Sequence, residues 1–257
     1  MRQKGFTLIE LIVVIVVIGA LGVGVTNFIG RSVQSYSDTG ERQQVGTVAW
    51  IVSEKVTRAV RDALPNSFRL GSSDQCLEFI PTIAGSDYVT VPVLAAADRF
   101  DVVPFSSYTV NSARDRIAVY PNSLTGLYNL SSNGVISSLV SQLNAGSVTN
   151  AVQVQLASNH QFLGDSPTRR FYVVQNPEML CFSGSRLVRY QNYGYQSSFS
   201  IPSSGALVVA TDLQNGQFAY SPGTLSRTGI VTIQYDVTQS AGVTQTINQE
   251  VQVRNVP

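Results

Sequence analysis

The chain has 257 residues, a formal net charge of +1 and only 13% charged side chains, so it has no basic surplus with which to hold nucleic acid. Lys4 and Lys55 are its only lysines. Ser, Thr, Asn and Gln carry much of the polarity, which suits an exported β-rich protein better than a cytosolic enzyme. A short basic head, Met1-Arg-Gln-Lys4, meets Gly5, and an apolar run follows from Phe6 to Phe28 with Glu10 as its one formal charge. At about 1.5 Å rise per residue, a helix of that length crosses a hydrocarbon core of roughly 30 Å. One reading is an ordinary secretory signal with a small-residue cut after Gly22. Against it, the run is longer than a usual signal core, and a carboxylate near mid-bilayer costs about 3 kcal/mol, less near an interface. Export alone gains nothing from Glu10.

Lys4-Gly5-Phe6-Thr7-Leu8-Ile9-Glu10 resembles the N-terminus of type IV pilins and type II secretion pseudopilins. The resemblance implies cleavage after Gly5 by a prepilin peptidase, N-methylation of Phe6 as the new terminus, and a filament-assembly role for Glu10. Losing Arg2 and Lys4 with the leader takes the formal charge from +1 to −1. The cut creates an amine four residues before Glu10, and i,i+4 positions share a helix face. A neighbouring subunit's amine could pair with the same carboxylate and set the axial stagger. Implied partners are other major and minor pilins, the prepilin peptidase, the inner-membrane assembly platform and, before assembly, the lipid bilayer, with no nucleic acid. The implied location is the inner membrane by a single pass, with the C-terminal domain in the periplasm, and then the pilus.

Beyond the apolar run, Val45, Val48, Ala49, Val52, Val56, Ala59, Val60 and Ala63 recur at three- and four-residue steps and predict an amphipathic helix. Glu41, Lys55, Arg58, Arg61 and Asp62 fall largely outside that stripe, so Arg58 and Arg61 read as its wet face rather than a phosphate-binding pair. Pro65 disfavours helix at Leu64 and sets the expected stop. No proline lies between Phe28 and Leu64, so membrane segment and stem can be one helix. The expected division is a leader at 1–5, a transmembrane helix at 6–28, a helical stem at 29–64 and a periplasmic β-rich domain at 65–257.

After Pro65, short β-type runs alternate with Gly, Pro, Asn and Ser. Strands are expected at Cys76–Ile80, Tyr88–Val93, Arg116–Tyr120, Ala151–Ala157, Arg170–Gln175, Leu187–Tyr190 and Ala206–Thr211. Leu124–Ser147 reads as loop with a short helix at Val135–Leu143. Val231, Ile233, Tyr235 and Val237 alternate with polar residues, and after Gln239-Ser-Ala-Gly242 the alternation resumes at Val243, Ile247, Val251 and Val253, predicting a hairpin with one buried face. Arg58-Ala-Val-Arg-Asp-Ala-Leu-Pro-Asn-Ser67, Cys76-Leu-Glu-Phe-Ile-Pro81, Cys181 and Leu187-Val-Arg-Tyr190 are similar to the MshO family, minor pilins of the mannose-sensitive haemagglutinin (MSHA) pilus related to J-type pseudopilins. That similarity implies an α+β fold, a long N-terminal helix packed on a mostly antiparallel β domain, and a low-abundance subunit that helps initiate or cap assembly.

Cys76 and Cys181 are far apart in sequence and form no CxxC. In an oxidising compartment they are expected to pair as one disulfide, the alternative being two separately buried thiols. Chain entropy gives about 4.7 kcal/mol for a closed loop of roughly 100 residues. No Gly-x-Ser-x-Gly elbow, P-loop or His-Glu-x-x-His occurs, and neither a cofactor, a metal nor an enzymatic activity is expected. His160, the one histidine, reads as a surface-loop residue. Asp98, Asp101 and Asp115 beside Arg99, Arg114 and Arg116 read as ion pairs in loops without calcium-loop spacing. Tyr190-Gln-Asn-Tyr193-Gly-Tyr195 either packs on the sheet or stacks on a sugar. The competing functions are therefore a filament subunit, a tip adhesin binding a glycan, a type II secretion pseudopilin and a membrane-anchored enzyme.

Overall fold

A single helix, α1, runs from Leu8 to Arg61 without a break, 54 residues long. At about 1.5 Å per residue it extends roughly 80 Å. The computed structural model describes residues 7–105, 108–224, 227–238 and 244–253. Two units emerge, Met1–Thr47 and Val48–Pro257, so the last turns of α1 belong with the β structure. The helix ends at Arg61, three residues before the stop expected from Pro65. Pairing with a strand takes the backbone first: Leu64 N–H donates to the Ile80 carbonyl at 2.7 Å, Thr82 N–H donates to Asp62 at 2.7 Å, and Ala63 bridges Pro81.

Among the described residues fifteen strands follow. The first five are β1 (Arg69–Gly71), β2 (Cys76–Phe79), β3 (Thr82–Asp87), β4 (Ala97–Val102) and β5 (Arg116–Val119). Next come β6 (Asn133–Gly134), β7 (Ile136–Ala145), β8 (Val152–Phe162), β9 (Arg170–Val174) and β10 (Glu178–Ser183). The last are β11 (Arg186–Tyr190), β12 (Ala206–Thr211), β13 (Leu213–Ser221), β14 (Ile230–Thr238) and β15 (Thr244–Gln252). They form a five-stranded sheet in the order β1-β2-β10-β11-β12, a three-stranded sheet β13-β14-β15, and a seven-stranded sheet β3-β9-β5-β7-β8-β4 with β6 against β8. Pairing is antiparallel except for the short β6·β8 contact. The fold is α+β.

Alternation along the central strands explains how both faces of the largest sheet are covered. Ile117, Val119, Phe171 and Val173 point into one core with Phe100, Val154 and Phe162. Ala118, Tyr172 and Val174 point the other way, into a core with Leu64, Ile80, Leu127 and Tyr128. On α1, Val52, Val56 and Val60 are all fully buried one turn apart, while Lys55, Arg58 and Arg61 stay exposed. That face is tied to the three-stranded sheet. Tyr235 Oη donates to the Ala49 carbonyl at 3.2 Å, and Gln249 Nε2 donates to Thr57 Oγ1 at 2.9 Å. Val231, Ile233, Tyr235 and Val237 all face inward on β14, as their alternation predicted. The turn Gln239–Gly242 and Val243 lie outside the described residues. Gly216 marks a close approach: a Cβ there would sit 2.1 Å from the Phe182 ring, which packs on Phe218 at 5.1 Å and joins β10 to β13.

Two local expectations need correction. Val135–Leu143 is not a helix, because Ile136–Ala145 is strand β7, wedged between β5 and β8. Its apolar residues imitate helical spacing because register shifts at Arg116/Ala118 and Val140/Gln142 change which face they meet. Tyr88–Val93 makes no strand beyond a bridge from Tyr88 to Val102. Pro92 lacks a donor, and the amides of Val89 and Thr90 both go to the Asp101 carbonyl.

Candidate functional site

The N-terminal stretch of α1 has no apolar face and polar face; it is apolar all round. Between Glu10 and Arg31 there is no formal charge, and large side chains from Leu8 to Phe28 stand exposed, for example Ile15 at 62% and Phe28 at 72%. None of its most apolar stretch is buried. Among the described residues α1 is the one helix long and apolar enough to cross a membrane. A helix hydrophobic on every side needs lipid or other helices around it. At Gly19, Gly22, Gly24 and Gly30 a Cβ would meet nothing within 4 Å beyond the adjoining backbone of the helix itself.

Glu10 sits in the first turn of this helix, exposed. Its Oε2 accepts from the Thr7 backbone N–H and from Thr7 Oγ1, both at a long 3.4 Å. Thr7-Leu8-Ile9-Glu10 is a capping-box sequence, and the glutamate reaches back to a donor at the helix start. Sequence reading passed over this second use of Glu10, although Thr-x-x-Glu before an apolar run is its standard signal. The contacts are long, so the carboxylate remains open to a stronger donor. Gly5 and Phe6 lie outside the described residues.

Cys76 and Cys181 are joined in a disulfide. They face each other in register on β2 and β10, two adjacent inner strands of the five-stranded sheet. Around them Met179 and Val188 are buried, with Tyr190, Tyr193 and Phe199 packed alongside.

Other sequence candidates turn inward. His160 is not in a surface loop: it is fully buried on β8, where inward positions resume at His160 and Phe162 after the exposed Ala157–Asn159. Its Nε2 contacts the Gly134 carbonyl at 3.0 Å, and burial pushes its pKa below 6.5. Asp98 pairs with Arg99 at 2.9 Å, and that hydrogen bond lowers its pKa. Asp101 and Asp115 are not ion-paired in loops. Both are buried and satisfied by neutral donors: Ser147 and Gln153 for Asp101, and Tyr108 Oη (2.6 Å), Asn111 N–H (2.8 Å) and Gln175 Nε2 (2.9 Å) for Asp115.

The tyrosine stretch docks onto the chain itself. Tyr193 Oη donates to Glu78 at 2.7 Å and Tyr195 Oη to the Gln175 carbonyl at 2.8 Å. Burial raises the pKa of both phenols, with Glu78 adding to the rise at Tyr193. Glu78 is fully buried and ion-paired with Arg69, whose guanidinium carbon lies 3.7 Å over the Tyr128 ring. Arg58 pairs with Glu54 one turn back at 2.5 Å, while Arg61 is exposed. A cleft of about 540 Å³ lies between the end of α1 and β3, lined in part by Arg61, Asp62, Thr82 and Asp87. No group of three or more His, Cys, Asp or Glu side chains suited to a metal occurs among the described residues.

Residues 1–26 match a family described as the Prokaryotic N-terminal methylation motif. No curated protein and no solved structure matches the chain. The chain thus carries the N-terminal motif of pilin-like prepilins at the head of an exposed apolar helix that can anchor it by a single pass.

Proposed function

We propose that this protein is a minor type IV pilin-like subunit of an MSHA-type pilus, held in the inner membrane by α1 with its β unit in the periplasm until it joins the filament. One observation carries the reading: a methylation-motif N-terminus opens a helix whose stretch from Leu8 to Phe28 is apolar and uncovered, and the one carboxylate in that stretch, Glu10, is only loosely held. In this reading prepilin peptidase cuts after Gly5, Phe6 becomes the methylated terminus, and the new amine, its own or a neighbour's, replaces Thr7 as the partner of Glu10. A charged amine makes a far stronger contact with a carboxylate than an amide at 3.4 Å. The finer assignment to MshO-like minor pilins rests on resemblance along 58–67, 76–81 and 187–190. The first two stretches meet where Leu64 pairs with Ile80, and the third, on β11, is joined to β2 through β10, which carries Cys181. We read the role as structural rather than catalytic, the one histidine being buried on β8. Tyr193 and Tyr195 use their hydroxyls internally, which favours a packing role over a glycan contact.

Expressing Glu10→Val in a strain that lacks the native copy tests this. Cleavage after Gly5 and membrane level should be preserved, because removing the carboxylate removes its desolvation cost, while surface pili should fall to the level of the empty strain. Normal piliation by a fully processed mutant would overturn the assembly role. Loss of type II secretion with pili intact would move the subunit to a secretion pseudopilus.

A further inference from the structure

One interior arginine differs from its counterparts. Arg69 meets Glu78 and Arg189 meets Glu178, each in an ion pair. Arg116, half-buried on β5, has no carboxylate within ion-pair distance among the described residues. Its Nη1 donates to the Ser137 carbonyl at 2.9 Å, and its guanidinium carbon lies 5.7 Å from the Tyr195 ring centre. Its Nε is buried with no acceptor. Burial lowers the pKa of the guanidinium, the sign expected of a charge withdrawn from water without a counter-ion. A buried charge without a partner is unfavourable unless something supplies one.

Arg116 forms part of the wall of a depression of about 290 Å³, whose other polar lining includes Ser131, Ser132, Ser138, Ser158 and Asn159. His160 lies in the same wall. No Asp or Glu lines the space. Three adjacent strands build it: β5 brings Arg116, β7 brings Ser138, and β8 brings Ser158 and His160. Ser138 Oγ donates to the Ser158 carbonyl at 3.0 Å and fixes the β7–β8 side. Ser131, Ser132, Ser158 and Asn159 are exposed at the mouth. The result is a polar recess with one positive charge, donors at its rim and no competing anion. Its volume is near the lower end for small-ligand sites.

We propose that this recess binds a small oxyanion, either free phosphate or sulfate or the carboxylate of an acidic sugar, with Arg116 as counter-charge and Ser132, Ser158 and Asn159 as rim donors. The site is independent of the filament reading, because every residue in it lies in the β unit. Full-length protein in detergent micelles is titrated with sodium phosphate, sodium sulfate and sodium glucuronate, each against sodium chloride at matched ionic strength. Calorimetry and thermal unfolding give the readouts. At least one oxyanion should give a saturable heat and raise Tm where chloride does not. Arg116→Gln should weaken binding by about tenfold or more, as loss of a charge-assisted contact does. Asn159→Asp, which sets a carboxylate at the mouth, should abolish binding by satisfying the arginine, and it serves if the first variant does not fold. Equal binding of phosphate and glucuronate would identify the oxyanion alone as the ligand, and tighter glucuronate an acidic sugar. No saturable response of the wild type to any of the three, or unchanged binding in either folded variant, overturns the proposal.

Discussion

Two stretches of the same helix are built for different surroundings. From Val52 onward α1 is amphipathic, with Val52, Val56 and Val60 fully buried and Lys55, Arg58 and Arg61 exposed. From Leu8 to Phe28 it is apolar on every side and buries nothing. The first kind of helix finds its partner within the chain, in β14 and β15. The second must find one outside, so its residues answer to lipid and neighbouring subunits rather than to the stability of the β unit.

Placing the same charge in each stretch breaks the symmetry between them. Val56→Asp puts a carboxylate where no water reaches and should destabilise the β unit by more than about 4 kcal/mol, so that circular dichroism and urea titration find little folded protein. Val16→Asp should leave the urea midpoint of the β unit unchanged and instead reduce recovery in the membrane fraction, at about 3 kcal/mol on insertion scales. A β unit equally damaged by both would mean that the two stretches are not energetically separate. Within the β unit, Glu78→Ala strands the nearly buried Arg69 guanidinium and should lose about 3–5 kcal/mol in a denaturant series. Replacing both Cys76 and Cys181 with Ala opens a link across 105 residues, and the loss should be about 2–4 kcal/mol, read as a lower Tm. Thiol labelling of the denatured, unreduced wild type should find no free sulfhydryl. The smallest effect belongs to the exposed Glu54–Arg58 pair, where Arg58→Ala should cost no more than about 0.5 kcal/mol and less at high salt. A soluble fragment beginning at Gln34 should unfold at the same urea midpoint as the full chain in detergent.

Strong periodicity made the helix and the C-terminal hairpin legible in the sequence. Val52, Val56 and Val60 repeat at one helical step, and Val231, Ile233, Tyr235 and Val237 at one strand step, each on one buried face. Legibility failed where a strand is buried on both sides or bulged. Val135, Ile136, Leu139, Val140 and Leu143 trace an apparent helical stripe, yet they belong to an interior strand and its approach, with register shifts on both neighbours. His160 was misplaced because Ala157–Asn159 are exposed and read as loop, and the inward positions resume only at His160 and Phe162. Of the candidate site, the apolar run and Glu10 could be read directly, and the Thr7 capping contact was readable but passed over. The acid-free surroundings of Arg116 could not be read at all, because strands distant in sequence assemble them.

The hydrogen bonds from Tyr235 and Gln249 to α1 also bear on the order in which the protein can be made. Synthesis runs from the N-terminus, so the apolar helix emerges first and the strands that cover its stem emerge last. β2 waits in the same way for β10, its partner about a hundred residues later. Such long-range closures are slow, because loop entropy must be lost before any contact rewards it. Until the final hairpin arrives, the nascent β unit carries an uncovered valine stripe and open strand edges on a tether already inserted in the bilayer. Holding the chain at a membrane keeps neighbouring nascent chains close, which favours their mispairing through those edges. The interval between emergence of the apolar helix and completion of β15 is therefore when the chain leaves the most strand edge and valine surface uncovered.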